Sequence, residues 1–325
     1  MPTGPAGGSP LEVIVTGGAG FIGSNLVRAL VERGDRVVVI DNLAATWSFG
    51  LLEDLAGRIE LIHGDIRLAE DLERVGGGPY DRVYHLAASF ANELSMEHPA
   101  IDMRSNIEGT LNVLAMARRV GCGLFVYTGS SSSYGDVPVP FAEDGPARPY
   151  TPYAISKHVG ETYVRSFGLP YAVFRLFNVY GPGDPPGRYR NAVPNMMQAL
   201  TRGEGTIRIF GTDATRDFTY VGDVVRVLLE APRALGQTVN LGSGREIAIV
   251  DLARTILGQF GLPETRLVFE ERRSWDRVIR RCAAVDRLRD LFGWVPDTPL
   301  EDGLRRAAQW LRAAGHLGPR KHEAA

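Results

Sequence analysis

The chain has 325 residues, enough for about two domains, with 36 basic and 38 acidic side chains and a formal net charge of -2. A charge this near zero gives no reason to expect nucleic acid or an anionic membrane as partner, and the apolar runs are too short to span a bilayer. Two cysteines, Cys122 and Cys282, make no disulfide framework and the six histidines show no metal-ligand spacing, so no metal is expected and a reducing, cytoplasmic setting fits.

In chain order, residues 1–10, MPTGPAGGSP, lack the basic and apolar regions of a signal peptide and read as a disordered leader. Short apolar runs then alternate with helical patterns. LEVIVTGG, DRVVVIDN, RIELIHGD, DRVYHLAA, GLFVYTGS and YAVFRLFNVYG are nearly continuous in Val, Ile and Leu, as strands buried on both faces are. The first run opens into IVTGGAGFIGSNL, where Gly17, Gly20 and Gly23 allow a tight turn and close approach of backbone to a pyrophosphate at a helix start. The second run ends on Asp41, a carboxylate placed to accept from ribose hydroxyls and to repel a 2′-phosphate. Asn42 and Leu43 follow and offer no arginine for such a phosphate, which favours NAD over NADP. Asp65, in HGDI after the third run, has two open readings: the adenine edge or a helix cap.

The spacing predicts a helix over Ile101 to Val120, with Ile107, Leu111 and Leu114 on one face and Gly121 as a stop. A second helix has Thr151 as N-cap, Pro152 at its first position, and Gly168 and Pro170 as stops. It carries Tyr153 and Lys157 one turn apart on a common face, a spacing that by itself assigns nothing. Beyond Asn178 the pattern loosens, GPGDPPGRYR reads as a loop, and a late strand appears in QTVNLGSG. The fold class is α/β: a Rossmann-type doubly wound parallel sheet with a smaller, interleaved C-terminal α/β domain. The first domain is expected over 11–177 with late elements about 217–250, the second over 178–216 and 251–315, and a tail over 316–325.

Ten stretches in order, TGGAGFIGS, DNL, GDI, HLAA, NIEGTLNVL, SSSSYGD, PYAISK, RLFNVYGPG, RDFTYVGDV and NLGSG, resemble the extended short-chain dehydrogenase/reductases. The resemblance is to their NAD-dependent nucleotide-sugar epimerases and dehydratases, and spans about residues 13 to 295. It implies that Gly17, Gly20, Phe21, Ile22, Asp41, Asn42, Asp65, Ile66, Leu86, Ala87, Ala88, Asn106 and Thr128 line an NAD site, together with Tyr153 and Lys157. It makes Ser130, Tyr153 and Lys157 the catalytic set. It assigns Asn178, Asn191, Arg216 and Arg273 to the diphosphate of a sugar nucleotide, most simply a UDP-sugar, and sets Phe210 near the base. It also implies a homodimer, with the two helices above paired across a two-fold axis as a four-helix bundle. A free tyrosine, with a pKa of about 10, is too weakly acidic to serve as a base at neutral pH. Lys157 and the positive nicotinamide both favour its phenolate.

The residues after Ser130 discriminate among reactions. Dehydrating relatives place Asp-Glu there, and decarboxylating relatives keep a glutamate two residues on. Here the places hold Ser131 and Ser132, which resembles the 4-epimerases. The implied reaction inverts C4 through a transient 4-keto sugar, with Tyr153 as base and bound NAD as hydride shuttle. Dehydration, decarboxylation, a sugar-nucleotide reductase and a non-catalytic NAD-binding regulator remain as alternatives. Three features depart from the pattern. Ser133 stands where the family often has valine. Glu93 stands about where glucuronate epimerases carry an arginine, which argues against an acidic sugar. Arg188 and Arg190 resemble decarboxylase relatives or belong to a solvated loop.

Overall fold

The computed structural model describes residues 9–44, 49–202, 205–273 and 276–318. The expected leader and tail lie outside these residues except for 9–10 and 316–318. The chain begins with β1 (Glu12–Thr16), α1 (Phe21–Arg33), β2 (Arg36–Asp41), β3 (Glu60–His63), α2 (Ala69–Glu73) and β4 (Arg82–His85). There follow α3 (Asn92–Glu97), α4 (Pro99–Met103), α5 (Gly109–Arg119), β5 (Leu124–Ser130), α6 (Pro152–Ser166) and β6 (Tyr171–Leu176). The remainder comprises β7 (Val179–Tyr180), α7 (Ala192–Thr201), β8 (Ile207–Phe210), β9 (Thr215–Asp217), β10 (Thr219–Tyr220) and α8 (Val221–Leu229). It ends with β11 (Thr238–Leu241), β12 (Glu246–Ala248), α9 (Ile249–Phe260), β13 (Leu267–Glu270), α10 (Asp286–Phe292) and α11 (Leu300–Ala313).

Seven strands form one sheet in the order β11-β6-β5-β4-β1-β2-β3. Pairing is parallel from β3 through β5, and Val173 and Phe177 donate to Gln237 and Leu241 in the same direction along β11. Ile14, Val38 and Ile40 pack in a cluster with Val113, Leu114 and Ala117 of α5, while their strand neighbours Val13, Val15 and Val39 are also buried, so the sheet is covered on both faces. This is the Rossmann-type architecture expected. The strand order reverses between β1 and β4, the place where such sheets open a crevice beyond their carboxyl ends.

Contacts divide the chain into two compact units. The first holds residues 1–130, 151–175 and 225–239, and the second holds 131–150, 176–224 and 240–325. The segment 131–150 thus packs with the second unit, whereas the sequence reading keeps it in the first. Its Tyr134 and Phe141 join Phe177, Val278 and Ala283 in a small core, and Tyr134 Oη donates to Asn240 Oδ1 at 2.6 Å. The larger core of the second unit gathers Met197, Ile209, Leu252, Ile256, Leu304 and Leu311.

Two elements differ from their sequence reading. YAVFRLFNVYG is two strands: Phe177 N still bonds Leu241 O at 3.1 Å, but the Asn178 carbonyl turns to Thr219 N at 3.1 Å, and β7 pairs with β10 instead of joining the central sheet. The helix expected over 101–120 starts at Pro99 and passes through a π-turn at Arg104–Glu108. That turn inserts a residue and rotates the inward face. Asp102, Asn106, Thr110, Val113 and Ala117 are buried, while Ile107 and Leu111 are half-buried.

The glycine turn is set by backbone contact. Gly17 has φ +70°, and a Cβ there would lie 2.5 Å from Ala87 N, so no side chain fits where β1 meets the segment after β4. At Gly23 a Cβ would overlap the Gly17 carbonyl oxygen and stand 2.8 Å from Gly18 Cα. Gly23→Ala is therefore expected to destabilise the protein by about 1–3 kcal/mol, because backbone rather than a side chain must yield. An unchanged urea midpoint would contradict this account of the turn.

Candidate active site

The first turn of α1 has Gly20 at its N-cap, no side-chain cap and no acidic residue. A Cβ on Gly20 would meet only the Gly17 carbonyl, at 3.2 Å, so the loop leaves room for a group to approach the backbone. Phe21 and Ile22 supply the first helical positions. Asp41 ends β2 with Oδ2 accepting from Ala19 N at 3.0 Å and Oδ1 from Leu43 N at 2.9 Å. Burial raises its carboxyl above the ordinary value, against those two bonds. Leu86 N bonds the Thr16 carbonyl at 3.1 Å, which sets Leu86, Ala87 and Ala88 beside the glycine turn. Thr128 spends its hydroxyl on the His85 carbonyl at 3.1 Å. An uncapped helix start, an open glycine face and a braced carboxylate together fit a dinucleotide.

Asp65 is not a helix cap, since α2 has Leu68 in that position. It forms a turn with Arg67, accepting from its backbone N and its Nε at 2.9 Å each, and from Asn42 Nδ2 at 3.1 Å. The Arg67 bonds hold its carboxyl down at about 2. Arg67 is a basic group near Asn42 that the sequence reading missed, but its charge is answered by Asp65 at 2.5 Å. Ile66 is buried against Gly109, where a Cβ would stand 2.6 Å from its Cδ1.

On α6 the Thr151 hydroxyl accepts from Ala154 N at 3.2 Å, so the helix begins as its sequence requires. Tyr153 is half-buried in the first turn, and Lys157 is 4% exposed one turn on. Lys157 Nζ lies 4.6 Å from the centroid of the Tyr127 ring. Burial lowers Lys157 to about 8, while Asp102 and Glu161 pull it upward. Ser130 is buried at the end of β5. Asn106, in the π-turn, sends Nδ2 to the Ser89 carbonyl, to Ser156 Oγ, both at 3.0 Å, and to Asp102 Oδ1 at 3.1 Å. His85 lies between Thr16 Oγ1 at 2.7 Å and Thr110 Oγ1 at 3.0 Å, and burial holds it down at about 3, so it is neutral.

In the second unit Arg216 of β9 is 8% exposed and donates to the Thr215 and Ile279 carbonyls at 2.8 and 2.9 Å and to Asp276 at 3.1 Å. Burial lowers its guanidinium to about 10, and Arg281 and Arg272 lower it further by repulsion. The Arg273 guanidinium lies 4.3 Å above the Phe210 ring. Asn178 is exposed between β6 and β7. Asn191 opens α7 with Nδ2 on Asp184 Oδ2 at 2.9 Å, and burial pushes Asp184 up to about 7. Arg188 is exposed and stacks on Tyr189 at 4.6 Å, whereas Arg190 faces Asp184. Ser133 is 1% exposed and its hydroxyl has no hydrogen-bond partner among the described residues.

The structure therefore groups Gly17, Gly20, Asp41 and Ala87 at one end of the sheet, and Tyr153 with Lys157 on α6. It sets Phe210 with Arg273, and gives Arg216 the neighbours Arg272 and Arg281. Asp102 and Arg281 are buried charges that sequence reading missed. An acid at i−4 from Asn106 on the inward face was a signal for Asp102, but only once the helix register was known. Nothing in the sequence sets Arg281 apart from Arg280 beside it.

Residues 13–242 match the model of the NAD dependent epimerase/dehydratase family. The UDP-glucose 4-epimerase of Azospirillum brasilense is 34% identical over 328 residues, covering 93% of this chain and 92% of that one. The UDP-glucuronic acid decarboxylase 1 of Xenopus tropicalis is 33% identical over 315 residues, covering 93% and 72% of the two chains. The crystal structure of UDP-glucose 4-epimerase from Thermotoga maritima with UDP-glucose has a TM-score of 0.85 and 32% identity, and covers 93% of this chain and 99% of that one. The glycine turn, the Tyr-Lys pair and these likenesses agree: the chain belongs to the NAD dependent epimerase/dehydratase family, enzymes whose cofactor is NAD.

Proposed function

We propose that the chain is a nucleotide-sugar 4-epimerase acting on a UDP-sugar. The observation that carries this is the pair of residues after Ser130. Ser131 and Ser132 are buried hydroxyls, and neither can protonate a leaving group as a carboxylic acid does nor take a proton as a carboxylate does. An epimerase needs neither. Tyr153, as phenolate, takes the proton from the C4 hydroxyl, and Lys157 favours that phenolate from one turn away. Ser130 holds the same hydroxyl. Bound NAD supplies the acceptor and donor of hydride. Arg216 and Arg273 hold the diphosphate while the sugar turns, and Tyr153 returns the proton to the C4 oxygen. Gly17, Gly20, Phe21, Ile22, Asp41 and Asn42 are the residues proposed to hold the dinucleotide, with Asp65, Ile66, Leu86, Ala87, Ala88, Asn106 and Thr128 around them.

Incubation with a panel of UDP-, dTDP-, GDP- and CDP-sugars, with products read by NMR, tests the reaction. The expected product is a C4 epimer with no loss of water or carbon dioxide. Tyr153→Phe should then keep its NAD and lose turnover by roughly 10²–10⁴-fold. Near-normal turnover in that variant would remove the phenolate from the mechanism.

A second reading of the sugar is favoured by Arg281. Its guanidinium is 8% exposed, donates to Ser132 Oγ at 2.9 Å, and has a buried Nε without a partner. No carboxylate among the described residues pairs with it. A buried cation in this condition favours an anionic ligand group, here a C6 carboxylate, over the neutral hydroxymethyl of glucose. This runs against the expectation drawn from Glu93. Arg281→Gln should weaken a UDP-uronate more than UDP-glucose, by tenfold or more in kcat/KM. Equal losses for both would assign Arg281 to the diphosphate instead.

We also infer a homodimer. Met96 of α3, Ile101 and Met103 of α4, and Ile155 and Tyr163 of α6 are exposed, on helices that touch one another. Pairing the helices of residues 99–119 and 152–166 across a two-fold axis would cover the α4 and α6 members of this group in a four-helix bundle. Light scattering at micromolar concentration should give twice the chain mass, and a monomer there would end this inference.

A further inference from the structure

Asp102 is a carboxylate of α4 with 1% exposure, and no step above uses it. Its Oδ2 accepts from Ser156 Oγ at 2.5 Å, and its Oδ1 accepts from Asn106 Nδ2 at 3.1 Å. Ser156 precedes Lys157 on α6; burial raises the Asp102 carboxyl above its ordinary value, against its Ser156 bond and the Lys157 charge, and Asp102 in turn raises Lys157. Glu161 is the other carboxylate that acts on Lys157. It gives both oxygens to Arg175, whose Nε and Nη2 lie at 2.9 and 2.7 Å, and Arg165 stands 3.6 Å away. Its charge is answered without Lys157. The remaining groups that face this cluster are neutral. His85 from β4 is held down by burial, Tyr127 from β5 is pushed above its ordinary value by burial, and Ser89 contributes only a hydroxyl and a carbonyl.

We propose that Asp102 is the positioning residue of the Tyr153–Lys157 pair: it is the fixed counter-charge that keeps Lys157 an ammonium in its buried place. Ser156 and Asn106 fix the carboxylate without neutralising it. Lys157 in turn makes the Tyr153 phenolate accessible near neutral pH. The proposal rests on Tyr153 acting as a base, but its test needs no sugar.

The sign of the effect separates this role from a merely structural one. Removing a negative charge from this cluster would, by itself, make the Tyr153 phenolate easier to form. If instead the loss of Asp102 deprotonates Lys157, the phenolate becomes harder to form. The experiment follows near-ultraviolet phenolate absorbance against pH in the NAD-loaded protein, with the same protein carrying Tyr153→Phe subtracted. Asp102→Asn should move the Tyr153 titration upward by about one pH unit or more. Asp102→Glu, which restores the charge, should bring it back toward the wild-type position. In a Lys157→Met background, Asp102→Asn should no longer raise it. A titration that is unchanged or shifted downward in folded Asp102→Asn overturns the proposal, whatever happens to NAD content. Should that variant not fold, the Lys157 side-chain carbon signal in wild-type protein decides. It must titrate above neutrality, and a lysine already neutral at pH 7 overturns the idea. A chain that epimerises no sugar in the panel but shows the upward shift would refute the reaction and leave this role standing.

Discussion

Lys157 holds a positive charge where water scarcely reaches it, and much of the first unit is arranged around that fact. An ammonium taken out of water loses solvation worth several kcal/mol unless other groups replace it. The replacements come from separate elements: the Tyr127 ring from β5, the Asp102 carboxylate from α4 and the Glu161 carboxylate from α6. Each has its own support. Glu161 is matched by Arg175 of β6, and Asp102 is fixed by Ser156 and by Asn106 of the π-turn. Asn106 lies in the π-turn and, four residues on from Asp102, faces the same buried layer.

The other constraint is close backbone approach at the sheet's carboxyl end. Gly17 against Ala87 joins β1 to the segment after β4, and Gly23 against Gly17 seats α1 on the turn. Asp41 braces the same loop through Ala19 N. In the second unit Asp217 has a similar task. It is fully buried and accepts from Ser243 N at 2.8 Å, Ser243 Oγ at 2.6 Å, Gly244 N at 2.9 Å and Ala283 N at 3.1 Å. The stretches RDFTYVGDV and NLGSG, legible as a resemblance, are physically one joint: a carboxylate in the first accepts from the backbone of the second.

What was legible follows from how local its cause is. The strands of the central sheet were readable because burial on both faces imposes an apolar run on each one separately. The two ends of α6 were readable because Thr151 and Pro152 at its start and Gly168 past its end act within a turn of themselves. Segment 131–150 was not, because Tyr134 and Phe141 owe their places to Asn240, Val278 and Ala283, about a hundred residues away or more. The π-turn was not, because one inserted residue leaves composition and apolar spacing almost unchanged. Arg67 beside Asn42 and Arg281 beside Ser132 were not, because a charge reveals its role only when its partner is known. The roles proposed for the NAD-lining and substrate-binding positions come from resemblance.

One comparison ties the reaction to the sugar. A glutamate at 132, as in decarboxylating relatives, would meet the Arg281 guanidinium and answer its charge within the protein. Serine there offers Arg281 only a hydroxyl, at 2.9 Å, and leaves Nε without a partner among the described residues. The exchange that removes a carboxylate from the chemistry therefore also uncovers a cation. The imbalance passes to whatever occupies the site. Either the carboxylate of an acidic sugar or the diphosphate common to nucleotide sugars would balance it. The proposed uronate reading is the one in which the sugar itself, and not the diphosphate alone, answers Arg281.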